Sequence, residues 1–100
     1  MSRPSDTPIP DLLDRLHEQT DKAVTAYNIR AVAEIVWQRK KRAVLAHALD
    51  SGESVAAAER AADAETLDEW EEFRKSDAEL ARQLLLVDHW RFLIDHHPDR

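Results

Sequence analysis

Residues 36–55 read VWQRKKRAVLAHALDSGESV, and how this stretch is parsed decides the fold. Four consecutive cations, Arg39, Lys40, Lys41 and Arg42, interrupt an apolar run that closes on LDSGES. Gly52 is the only glycine in the chain. It can take the left-handed conformation that ends a helix, and Ser54 is a good N-cap for the next one. The stretch therefore reads as the end of one helix, a stop, and the start of another. Its cations are either a grip for phosphate or the charged side of the first helix.

Upstream, Leu13, Leu16, Thr20, Val24, Tyr27, Ala31, Ile35, Gln38, Arg42, Leu45 and Leu49 follow one another at spacings of three and four. That pattern predicts a single helix A over about 11–49, with this stripe as its main apolar face. Prolines at 4, 8 and 10 keep residues 1–10 out of it as a flexible, extended lead-in, although Pro10 can sit in a first helical turn. Between Ala23 and Trp37 eleven of fifteen residues are apolar. Ile29, Val32, Val36 and Trp37 lie off the main stripe, so the apolar surface wraps around several sides of the helix.

Downstream, Val55 to Ala62 predicts a short alanine-rich helix B. Thr66 with Glu69 three residues on predicts a capping box opening helix C over about 66–97. The stripe of helix C runs Trp70, Phe73, Asp77, Leu80, Leu84, Val87, Arg91 and Ile94, widened by Leu86, Trp90 and Leu93. No segment alternates with a period of two. The expectation is an all-α chain: one domain over 11–97, a long antiparallel helical hairpin with a short connecting helix, placing Trp37 near Phe73.

Charge is segregated. The net charge is −6, yet residues 30–47 carry five cations against Glu34 alone, and residues 54–79 carry nine acids against Arg60, Arg74 and Lys75. In the hairpin the basic run lies level with an acid-rich helix C, where Glu71, Glu72, Asp77 and Glu79 occur. Successive residues point about 100° apart, so some of the four cations pair across the hairpin while others face water. Arg39, Lys40, Lys41 and Arg42, joined by Arg74 and Lys75, are the candidate phosphate contacts, with single-stranded DNA as a candidate partner bound electrostatically. Trp37 beside the run reads as core rather than as a stacking platform for bases.

The chain contains no cysteine, which excludes disulfides and thiolate metal sites. No apolar run reaches the roughly 18 to 20 residues of a membrane span, and MSRPSDTPIP lacks a signal-peptide core, so a cytoplasmic protein without membrane contact is expected. His89, Asp95, His96 and His97 cluster near the end without a second i, i+4 pair to complete a zinc tetrahedron, so no metal is expected. The sequence also lacks a P-loop, an HExxH and a serine elbow, and no enzyme, small-molecule substrate or cofactor is expected. What remains is apolar surface in excess of what two helices can cover. Val24, Tyr27, Ile29, Val32, Ile35, Val36 and Trp37 on helix A, with Leu84, Leu86, Trp90 and Leu93 on helix C, are the candidate interface for a homo-oligomeric bundle or a partner protein.

From Arg39 to Asp95 the segments RKKRAVLAHAL, GESV, AAAERAADAET, LDEWEEF and VDHWRFLID resemble a family of small all-helical proteins of actinobacterial and other tailed phages, mostly without an assigned activity. The resemblance covers a little over half the chain, and Trp70 and the terminal DHHPDR depart from it. It implies a non-enzymatic accessory role, an oligomeric scaffold or mediator in phage DNA recombination or replication, within the host cytoplasm. A protein-binding adaptor or inhibitor acting through the apolar face of helix A, and a structural virion component, are the alternative expectations.

Overall fold

A long helix forms here because nothing between Pro10 and Gly52 interrupts it. In the computed structural model, which describes residues 7–99, α1 runs Ile9–Asp50 without a break. Its first turn closes on the Pro8 carbonyl, which accepts from the amides of Asp11 and Leu12 at 3.1 and 3.2 Å, and Pro10 lies within that turn. The helix ends as its sequence directs. Gly52 takes φ +88°; its amide donates to Leu49 O at 3.0 Å and the Glu53 amide donates to Ala48 O at 3.1 Å. These two bonds make up a Schellman closure.

Helix α2, Val55–Glu65, is capped by Ser54, whose Oγ accepts from the Ala57 amide at 3.2 Å. Thr66 differs from the sequence expectation. Its amide and its Oγ1 both donate to Ala62 O, at 3.1 and 2.6 Å, and its own carbonyl accepts from the Trp70 amide at 2.9 Å. The side chain thus closes α2 instead of opening the next helix, and no capping box with Glu69 forms, because the Thr66 amide is already spent on Ala62. Helix α3 follows at once as Leu67–Asp95. No strand occurs among the described residues.

The chain divides into two compact units, Asn28–Asp77 and residues 7–27 with 78–99. In each, α1 and α3 run antiparallel. In the first, Arg30 pairs with Asp77 at 2.6 Å, Trp37 stacks on Phe73 at 5.5 Å and 16°, and Lys40 meets Glu69, so partner numbers fall as α1 numbers rise. In the second, Gln19 Nε2 contacts the Gln83 side chain and lies 3.4 Å from its carbonyl, while the Arg15 guanidinium lies 5.5 Å from the Trp90 ring centre. The lead-in expected over 1–10 falls, in its first six residues, outside the described residues.

One correction concerns which side of α1 is inside. Leu13, Val24, Tyr27, Ile35 and Leu49, members of the stripe that the spacing selects, are exposed. The buried positions of α1 are Leu12, Gln19, Ala23, Ala26 and Ala48, which at about 100° per residue fall on one face of the helix. Small side chains let a neighbouring backbone approach closely and fill space that branched ones would hold open. Valine and isoleucine are consequently left on the outside. Helix α2 behaves alike, with Ala58 and Ala62 wholly buried.

Candidate protein-association face

Apolar side chains in water carry an unfavourable free energy that only a partner can remove, and α1 carries several. Within the Asn28–Asp77 unit, Ile29, Val32 and Val36 are 56%, 61% and 51% exposed, and Ile35 is exposed beside them. With Arg39 and Ala43 they continue at spacings of three, four, three and four, so Ile29, Val32, Val36, Arg39 and Ala43 form one stripe on a side of the helix that is open to solvent. Beside the stripe lies a groove of about 260 Å³, lined by Ala33, Val36, Asp68, Glu69 and Glu72. Its lining is mostly aliphatic, and three acidic residues from the start of α3 border it.

One of those carboxylates is only half satisfied. Lys40 Nζ sits 2.5 Å from Glu69 Oε1, whereas Glu69 Oε2 is buried and has no hydrogen-bond partner. The hydrogen bond to Glu69 raises the Lys40 pKa against a smaller opposing effect of burial. The same bond, helped by a backbone amide, lowers that of Glu69. Glu69 is lower in the folded state, so its contribution is present above its unfolded value and lost as the pH falls through the folded one. Lys40 is raised, so its share is complete below its unfolded value and lost as the pH rises through the folded one. Lys40→Met is therefore expected to lower the Tm slightly at pH 7, a difference that shrinks in acid as the pH falls through the lowered folded-state value of Glu69. Thermal melts of both proteins across pH check this.

The rest of the basic run divides. Lys41 pairs with Asp63 of α2 at 3.1 Å and lies 5.5 Å from the Trp37 ring centre. Arg39 and Arg42 are exposed and make no hydrogen bond or ion pair with any described residue. The acids that answer Lys40 and Lys41 are thus Glu69 and Asp63, not Glu71, Glu72, Asp77 or Glu79; of those four, Asp77 pairs with Arg30. Of the two cations on α3, Arg74 covers the Trp70 ring at 5.0 Å and Lys75 lies 3.6 Å from Glu72. Trp37 is half-buried, held by Phe73 and Lys41, and Arg30 covers the Phe73 ring at 5.1 Å. A second groove of about 460 Å³ is lined by Trp37, Lys41, Asp63, Thr66, Leu67 and Trp70.

In the other unit Val24, Tyr27 and Leu84 are exposed, while Leu86, Trp90 and Leu93 are half-buried. Leu85, at 69%, and Phe92 are exposed as well and were not among the expected interface residues. The run of three leucines at 84–86 carries the signal for the first, since three successive helical residues cannot all point inward.

The terminal histidines do not converge. His97 is buried; its Nε2 lies 2.8 Å from Thr7 O, which can only accept, so Nε2 carries the proton, and Nδ1 accepts from the Asp99 amide at 3.1 Å. His96 stacks on Phe92 at 4.1 Å and His89 meets Trp90 edge-on. No group of three metal-ligating side chains occurs among the described residues, and no helix is long and apolar enough to cross a membrane. Comparison of the chain with protein-family models, with curated proteins and with solved structures finds no match.

Proposed function

We propose that this chain is a non-catalytic helical scaffold that self-associates through the exposed side of α1. One observation carries the reading: Ile29, Val32 and Val36 are each more than half exposed and stand in register on one helix, next to Ile35. Helices associate when such a stripe repeats at threes and fours. The resemblance of residues 39–95 adds the setting, accessory work in phage DNA recombination or replication. There the repeated Arg42, with Arg74 and Lys75, would add weak phosphate contacts. Lys40 and Lys41 contribute less to such contacts, because Glu69 and Asp63 neutralise them within the subunit.

Light scattering across a concentration series tests the scaffold. The wild-type chain is expected to exceed its monomer mass of 11.5 kDa. Burying a valine is worth about 1.5 kcal/mol or more, so the double variant Val32→Asp with Val36→Asp is expected to weaken association at least about a hundredfold. Both positions are exposed, and circular dichroism is expected to show unchanged helicity. A wild-type monomer at high concentration removes the scaffold reading.

A further inference from the structure

The open side of α1 is not only apolar. It is arranged about a centre. In the stripe Ile29, Val32, Val36, Arg39 and Ala43, the outer members stand seven residues on either side of Val36, a large side chain at one end and a small one at the other. Arg39, exposed and without a bond to any described residue, stands three residues beyond Val36. Ala33, in the floor of the acid-bordered groove, stands three residues before it. Glu69, which lines that groove, keeps a buried carboxylate oxygen, Oε2, that lacks a donor.

Resting on the scaffold reading, we propose that the partner is a second copy of this chain. It lies antiparallel along α1 with the two-fold axis at Val36, so that Arg39 of each copy enters the groove of the other. Such an axis places Val36 against Val36, Ile29 against Ala43 and Arg39 level with Ala33. The arginine stem covers the aliphatic floor of Ala33 and Val36, and its guanidinium meets the exposed carboxylates of Asp68 and Glu72. A two-fold interface repeats the contact, giving two arginines in two acidic grooves. The bordering carboxylates also set the class of partner. Asp68 and Glu72 beside the stripe are exposed acceptors, so this side of α1 suits a helix carrying a cation.

The absence of cysteine permits a direct test. A disulfide requires Cα atoms within about 7 Å. Val36→Cys is expected to form a covalent dimer under mild oxidation. Ile29→Cys is expected to cross-link with Ala43→Cys in a mixture and not with itself. Arg39→Glu and Glu72→Arg are each expected to weaken self-association at least about tenfold, and an equimolar mixture of the two is expected to restore it, since the heterodimer alone has opposite charges at both contacts. All five positions are exposed on helices, and helicity measured by circular dichroism is expected to match the wild type.

If Val32→Asp with Val36→Asp dissolves the assembly but Ile29→Cys cross-links with itself, the antiparallel pairing is overturned while the scaffold stands. Failure of the charge-exchanged mixture to recover association overturns the seating of Arg39 in the groove. A wild-type monomer overturns both the scaffold and the pairing.

Discussion

Leu12→Ala is expected to lower stability by about 2–5 kcal/mol, because it removes buried methyl groups and leaves a cavity. Leu12 is 1% exposed and is the one large apolar side chain to be fully enclosed among the described residues. Small domains keep only about 5–15 kcal/mol in reserve, and each kilocalorie in a chain of this size corresponds to about 4–8 °C. A fall in Tm of about 10 °C or more follows, measured by circular dichroism. The neighbour supplies the control. Leu13 belongs to the stripe that the spacing selects, yet it is 39% exposed, and Leu13→Ala is expected to cost much less. A larger loss for Leu13→Ala than for Leu12→Ala would show that the inward side of α1 is the other stripe.

Ala62→Leu is expected to destabilise by about 1–3 kcal/mol through overpacking. Ala58 and Ala62 have no exposed surface, so three added carbons must displace a helix. The Ala62 carbonyl also receives both donors of Thr66, and a shift of α2 strains the junction with α3. Ala64→Leu, at an exposed position two residues along the same helix, is expected to leave the melting temperature nearly unchanged. Equal melting temperatures for the two variants would mean that α2 does not rest on its alanine face.

The three helices, the end of the first and the start of the second are legible in the sequence. Gly52 and Ser54 act on amides and carbonyls within five residues of themselves, and the observed closure and cap use those partners. The stacking of Trp37 on Phe73 is legible as well, since a short connection between two long helices leaves only an antiparallel return. Thr66 is less so. A threonine three residues before a glutamate satisfies the capping-box pattern, but Ala62 O lies one turn behind and offers the same hydroxyl an acceptor. Only the continuation of α2 to Glu65 decides between them.

The candidate association face shows the same division. Its members could be named from sequence because Ile29, Val32 and Val36 fall outside the main stripe, but they are exposed for another reason. On α1 hydrophobicity alone favours the stripe that carries Leu13, Leu16, Val24, Tyr27, Ile35, Leu45 and Leu49. Close approach favours the one rich in alanine, and Gln19 can be buried on it because Gln83, 64 residues away, meets its amide.

By itself, then, the sequence determined helix type, the stop at Gly52, the Ser54 cap and the antiparallel return, because those depend on backbone bonds and spacings within a few residues. Only the tertiary structure decided which stripe is inside, which acids answer Lys40 and Lys41, and that Arg39 and Glu69 Oε2 are left without partners. Those outcomes depend on how closely helices distant in sequence approach, and a close approach rewards small side chains over greasy ones.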